Sequence, residues 1–232
     1  MPDVANIFGR NEFFIRRVHS LLGIVPVGAF LFVHLVTNAS VLDGPETFQA
    51  RVDQIHHIGR YTLLVIEWCF ILLPILFHGL VGLVIVARGK RNVIYYPYRE
   101  NLRYTLQRWT GVIAFMFILW HVFHTRGWLP SEWWINNVTR PLGGGTFDPA
   151  NAPLTAALAI QGSWIVAAFY WIGVTANVYH LANGLWTAGI TWGLWTGPTA
   201  QRWANVPCLM VGIALAILGY GALIGLQNLP IR

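Results

Sequence analysis

The stretch that decides the fold is residues 61–87, YTLLVIEWCFILLPILFHGLVGLVIVA, in which Glu67 is the single residue with a formal charge. A transmembrane helix needs about 20 consecutive, predominantly apolar residues to cross the hydrocarbon core of a bilayer. This stretch is longer than that, and Pro74 inside it is compatible with a membrane helix because neighbouring groups satisfy the freed backbone atoms. The stretch therefore predicts a membrane-spanning helix.

The composition of the whole chain supports the same interpretation. The 232 residues are 56% hydrophobic and only 10% charged, whereas soluble domains carry about 25% charged residues. The net charge of +6 does not indicate a nucleic-acid partner, because the basic residues flank apolar runs, as topology control in a membrane requires. We therefore predict a protein embedded in a lipid bilayer that does not bind nucleic acid.

Four other apolar stretches of the chain also predict spanning helices. The five predicted spans cover roughly residues 18–42, 61–87, 109–125, 153–182 and 203–226. The predicted fold class is therefore all-α, a polytopic membrane protein in which residues 1–232 form a single five-helix bundle. The long polar connection at residues 128–151 is interpreted as an outer loop with an aromatic segment at the membrane interface.

The basic residues indicate how the bundle is oriented. Those on the N-terminal arm and on the connections between spans two and three and between spans four and five lie on one side: Arg10, Arg16, Arg17, Arg88, Lys90, Arg91, Arg99, Arg103, Arg108 and Arg202. The other side holds most of the acidic residues and fewer basic ones: Arg51, Arg60, Arg126, Arg140 and Arg232. The positive-inside rule then predicts a cytoplasmic N-terminus and an outside C-terminus.

Four histidines from four different spans are predicted to form two layers. At 1.5 Å per residue, His34 lies roughly 24 Å past the inner start of span one, and His121 falls in the outer half of span three. His78 lies roughly 14 Å from the inner end of span two, and His180 falls towards the inner end of span four. Facing helices can supply the two imidazoles that ligate the iron of a b-type haem. We therefore predict two haem b groups, an outer one held by His34 and His121 and an inner one held by His78 and His180.

Other residues near these histidines have predicted roles in holding the haems. Haem propionates are anionic, and the cationic or hydroxyl side chains predicted to contact those of the inner haem are Arg17, His19, Ser20 and Arg108. The small residues predicted to leave room for a flat macrocycle are Gly79, Gly82 and Gly184.

Two alternative interpretations of the histidines stay open at this point. A histidine in a membrane helix also serves as a hydrogen-bonded packing residue, and histidines form proton relays in transporters. A relay predicts acids beside the histidines, and Glu67 is the only carboxylate deep in a span. His124, one turn beyond His121, is interpreted as a boundary histidine hydrogen-bonded at the headgroups.

Several motifs resemble one known family along nearly the whole chain. They are FFIRRVHSLLG at residues 13–23, HLVTN at 34–38, LPILFH at 73–78, LQRWTG at 106–111, WHV at 120–122 and HLANGLW at 180–186. On these residues the chain resembles the single-subunit, dihaem cytochrome b membrane anchor of succinate dehydrogenases and fumarate reductases. The family pairs the ligands of helices two and four on one haem and those of helices one and three on the other, as the depths predict here.

The resemblance implies a role in an enzyme complex of the prokaryotic cell membrane. A flavoprotein subunit would oxidise succinate, an iron–sulfur subunit would relay electrons, and this chain would pass them through its haems to a membrane quinone, a menaquinone or a ubiquinone. Glu67, near the outer surface, is then a candidate for proton transfer to or from the quinone; the alternative is a carboxylate that reaches headgroup water or pairs with Arg60.

Two other functional hypotheses remain. A cytochrome b subunit of a hydrogenase or of a formate dehydrogenase would keep the haems and change the partner. A haem-free transporter or structural membrane protein would use the same helices without any haem.

Overall fold

The computed structural model describes residues 4–90 and 93–231 and, for residues 4–8 and 10, the backbone alone. Arg10 is therefore described by its backbone only, and Arg91 and Arg232 of the charge argument lie outside the described residues. No β-strand occurs in these ranges. The helices are α1 Val4–Ile24, α2 Pro26–Ala39, α3 Pro45–His56, α4 Arg60–Ile66, α5 Leu73–Arg88, α6 Arg99–Arg126, α7 Glu132–Trp134, α8 Ala152–Gln161, α9 Trp164–Thr191 and α10 Pro198–Asn228.

Five of the helical stretches in the described ranges are long and apolar enough to cross a membrane, which confirms the predicted fold class. They are Asn11–Asp43, Arg60–Arg88, Arg99–Arg126, Trp164–Thr191 and Pro198–Asn228. Large apolar side chains on them are exposed, among them Leu80, Leu209 and Ile217. Lipid is the solvent that suits such a surface.

Prolines explain the breaks inside the first two spans. Pro26 begins α2 directly after α1 ends at Ile24, because a proline ring fits the first turn of a helix and disrupts its interior. In the second span a π-helical turn, Glu67–Leu72, connects α4 to α5 just before Pro74. The ring of Pro74 would collide with the carbonyl of residue 70 in a regular α-helix, and the wider turn relieves that collision.

The predicted ends of two spans are wrong. The third helix begins at Arg99 instead of 109, because its first turns carry polar residues that lower the local hydropathy without ending the helix. The sequence predicts the fourth span as one stretch, 153–182, but the helix is interrupted at Gly162 and at Ser163, whose backbone is extended. Helix α8 is thus separate, and α9 runs on to Thr191.

The two ends of the bundle differ. We call the end that holds the 89–98 and 192–197 connections the basic end, and the end that holds residues 44–59 and 127–163 the capped end. At the capped end, α3 and α8 pack on the bundle around a core that includes Phe48, Ala152 and Leu226. The predicted loop at 128–151 is part of this cap: Thr139 is fully buried, and backbone hydrogen bonds fix residues 145–147 to the last turn of α6.

Candidate functional site

The histidines nearer the basic end come from α5 and α9. His78 lies ten residues before Arg88 and His180 eleven before Thr191, which puts both roughly 15 Å from the ends of their helices. Their ring centroids are 6.0 Å apart, and the ring planes are inclined at 81°. The structure therefore brings His78 and His180 together at one height.

Backbone carbonyls hold both of these rings through the same nitrogen. His78 Nδ1 lies 2.8 Å from the carbonyl oxygen of His19, and His180 Nδ1 lies 3.0 Å from that of Gln107. A carbonyl only accepts, so these contacts favour the neutral tautomer with the hydrogen on Nδ1 and the lone pair at Nε2, and the Gln107 amide nitrogen lies 3.2 Å from His180 Nδ1 as well. This is the tautomer in which Nε2 can bind a metal.

The histidines nearer the capped end come from α2 and α6. The ring centroids of His34 and His121 are 5.9 Å apart, with an interplanar angle of 75°. His121 Nδ1 lies 3.2 Å from the hydroxyl oxygen of Tyr170. His34 differs from the other three, because its Nε2 lies 3.4 Å from the amide nitrogen of Asn38.

Both separations fit two imidazoles on opposite sides of one metal ion. A metal–imidazole bond of roughly 2 Å, added to about 1 Å from nitrogen to ring centre on each side, puts the two centroids about 6 Å apart. Within the described ranges, His, Cys, Asp and Glu form no group of three or more that could hold a metal ion. In a bis-histidine haem the porphyrin supplies the other ligands of the iron.

Glycines line the rings of the basic-end pair, but not all at the predicted positions. A Cβ on Gly111 would lie 2.6 Å from His180 Cε1, and one on Gly23 would overlap the ring of His78. Gly79, predicted to leave room for a macrocycle, instead receives the ring of Phe115, so its small size serves helix packing. Gly82 and Gly184 approach His19 and Gln107.

The four candidate propionate contacts fall into two groups. Arg17 donates to the carbonyl of Thr191 at 3.4 Å, and Ser20 Oγ accepts from Trp192 at 3.3 Å, so both already bind the end of α9.

His19 stacks on His78 with centroids 3.9 Å apart. Among the described residues, His19 Nδ1 and Arg108 Nη1 are buried nitrogens without a hydrogen-bond partner. A buried anion such as a propionate would supply the acceptor that each can use.

A polar network lies behind His180, and the sequence predicts no role for it. Gln107 Nε2 donates to the carbonyl of His180 at 3.1 Å, and Asn183 Nδ2 donates to Gln107 Oε1 at 2.6 Å. Arg103 donates to Asn183 Oδ1 and, at 2.6 Å, to Asn205 Oδ1. The network joins α6, α9 and α10, and its signal in the sequence is the polar residues inside the motifs at 106–111 and 180–186.

We predict that Asn183→Leu lowers the stability of the protein in detergent. The substitution removes the partner of Gln107 Oε1 and one of the two partners of Arg103, both partly buried, and an unpaired polar group costs about 1–3 kcal/mol when buried. The midpoint of thermal unfolding should therefore fall. The matched control is Asn177→Leu, because the Asn177 amide donates only within α9, to the carbonyl of Gly173. An Asn183 variant as stable as this control would contradict the role assigned to the network.

Glu67 lies near the capped end, where it pairs with an arginine. Glu67 Oε1 lies 2.5 Å from Arg126 Nη1, so the partner is Arg126 and not Arg60. The Glu67 side chain is 21% exposed and that of Arg126 is 56% exposed. The pair joins the π-helical turn of the second span to the end of α6.

His124 is not the boundary histidine that its position predicted. It is only 8% exposed, because its ring stacks on Trp120 with centroids 4.6 Å apart. Its Nδ1 lies 3.1 Å from the same Tyr170 hydroxyl that contacts His121. The sequence indicates only that His124 is one helical turn from His121.

Comparison with known proteins adds to this geometry. No family model matches the chain. The chain is 34% identical over 216 residues to the succinate dehydrogenase cytochrome b558 subunit of Bacillus subtilis (strain 168), and the match covers 93% of this chain and 97% of that protein. The chain belongs to the family of succinate dehydrogenase cytochrome b subunits. The predicted resemblance to the cytochrome b membrane anchor of succinate dehydrogenases is thereby confirmed.

Proposed function

We propose that the chain is the membrane-anchor subunit of a succinate:quinone oxidoreductase and holds two haem b groups. The observation that carries the proposal is the meeting of four histidines, from four spanning helices, as two pairs with ring centroids 5.9 and 6.0 Å apart. When bound, the haems supply one-electron transfer between an iron–sulfur subunit on the cytoplasmic side and a membrane quinone near the outer side. The basic end is the cytoplasmic one in this proposal.

The side chains of this subunit bind and orient the haems. His78 and His180 would hold the iron of the basic-end haem through Nε2, since their Nδ1 atoms lie beside carbonyls. His34 and His121 would hold the iron of the capped-end haem. The buried nitrogens of His19 and Arg108 would bind propionates at the basic end, whereas Arg17 and Ser20 contact the end of α9.

Glu67 transfers protons to or from the quinone near the capped end. Reduction of a quinone consumes protons, and oxidation of a quinol releases them. Arg126 keeps the carboxylate oriented through their ion pair. In this proposal the catalytic dicarboxylate chemistry belongs to the flavoprotein subunit.

The first test is an absorption spectrum of the purified protein with its haem content. Dithionite reduction should give sharp, low-spin b-type bands and about two haems per polypeptide, because each bis-histidine pair holds one. A flavoprotein with covalent flavin should co-purify, which distinguishes this complex from a hydrogenase or a formate dehydrogenase. A spectrum without haem bands would reject the proposal and favour a haem-free membrane protein.

A further inference from the structure

Two buried side chains beside His121 have no role in the proposed function. Tyr170 is 6% exposed and belongs to α9, whereas His121 and His124 lie one turn apart on α6. The Tyr170 hydroxyl lies 3.2 Å from His121 Nδ1 and 3.1 Å from His124 Nδ1. One hydroxyl therefore bridges two imidazoles.

The hydrogen-bonding capacities of the three groups fix a direction. A neutral imidazole carries hydrogen on one nitrogen, and the phenol has a single hydrogen to donate. If His121 binds iron through Nε2, its Nδ1 must carry the hydrogen and donate to the Tyr170 oxygen. The Tyr170 hydroxyl then has His124 Nδ1 as its acceptor, and the hydrogen of the neutral His124 ring is on its Nε2.

We propose that His121, Tyr170 and His124 form a directional hydrogen-bond chain that sets how strongly His121 donates electrons to the capped-end haem. This inference rests on the proposed function, because it takes His121 to be an iron ligand. Donation from Nδ1 raises the basicity of an imidazole ligand. Donation from Tyr170 to His124 makes the Tyr170 oxygen a better acceptor, since consecutive hydrogen bonds polarise one another.

The surroundings keep the chain in place. The His124 ring stacks on that of Trp120. The His124 carbonyl accepts hydrogen bonds from the hydroxyl and the backbone N–H of Thr146 at 2.8 and 3.0 Å. Tyr170 belongs to the buried core at the capped end. The three groups are thus held by packing as well as by their own contacts, and Tyr170 and His124 act as positioning residues.

The basic-end haem has a different arrangement, which provides an internal reference. Its ligands donate to backbone carbonyls, which no side-chain substitution removes. Substitutions of Tyr170 or His124 should therefore change the capped-end haem and leave the other one as it is.

The experiment is a potentiometric titration of the purified complex, followed by its b-type bands. Tyr170→Phe removes the hydroxyl and keeps the ring, and we expect the potential of the capped-end haem to become more positive. His124→Leu should shift it in the same direction by a smaller amount, and the double variant should match Tyr170→Phe. The matched control is Tyr220→Phe, which removes a hydroxyl 3.0 Å from Thr175 Oγ of α9 and away from the histidines.

The outcomes separate this inference from the proposed function. Wild-type protein without b-type bands would reject the proposed function itself. Two haems with an unshifted potential in Tyr170→Phe, or independent and additive shifts in the two single variants, would overturn the chain. If Tyr170→Phe loses the capped-end haem, the hydroxyl is required to hold His121, and a shift in His124→Leu would then support the chain whereas its absence would overturn it.

Discussion

Replacement of His121 by Ala should remove one of the two b-type components from the reduced spectrum and halve the haem content. The structure pairs its ring with that of His34 across 5.9 Å, and an iron that loses one of two axial imidazoles no longer forms a low-spin bis-histidine haem. His34→Ala should remove the same component. The measurement is a reduced-minus-oxidised spectrum together with haem per polypeptide.

The other pair should behave as a second, independent unit. His78→Ala and His180→Ala should each remove the component that the His121 variant retains, because their rings meet at the other height. The matched control is His57→Ala, since His57 is exposed and its Nδ1 contacts the carbonyl of Asp53 within its own turn. Loss of one and the same component from the His34 and His78 variants would show that the pairing is wrong.

The second large effect is expected at the quinone. Glu67→Gln keeps the size of the side chain and removes its ability to exchange a proton, and positioned acid–base groups contribute roughly 10²–10⁴-fold to rates. Quinone turnover should therefore fall by about 100-fold, while both haem bands remain. The assay is steady-state quinone reduction by the complex, with the spectrum recorded on the same sample.

Arg126→Gln separates proton exchange from simple ion pairing. It breaks the same 2.5 Å contact but leaves the carboxylate in place, and an exposed arginine contributes little stability through a single ion pair. We expect this variant to lose much less turnover than Glu67→Gln. Equal losses in the two variants would mean that Glu67 acts only as the partner of Arg126.

The number of spans could be predicted from the sequence because membrane length and helix rise fix what an apolar stretch can do. Their ends could not. Residues 153–182 are apolar on both sides of Gly162, so hydropathy does not distinguish a helix that crosses the bundle from α8, which packs in the cap. The start of α6 could not be predicted for the opposite reason. Its first turns are helical but polar, so their hydropathy is too low to indicate a membrane span.

The rise per residue of a helix also predicts the height of each histidine in the bundle. It does not predict which side chains surround that histidine. Height does not tell which neighbour fills the space beside a small residue, so Gly79 was assigned to a macrocycle although Phe115 occupies that space. It also does not indicate burial, and His124, predicted at the headgroups, is covered by Trp120 of its own helix and contacted by Tyr170 of α9. The contacts of Phe115 with Gly79 and of Tyr170 with His124 join helices that are distant in sequence, which height alone does not reveal.

The cap at one end has a consequence for biosynthesis. Its core joins Val41 and Phe48 to Leu223 and Leu226, which are synthesised later, and Gln161 donates to the carbonyls of Leu226 and Leu229. Val41 and Phe48 must therefore wait until α10 has been inserted before they find these partners. Removing the end of α10 should loosen the segment around Val41 and Phe48, although the two are far apart in the sequence.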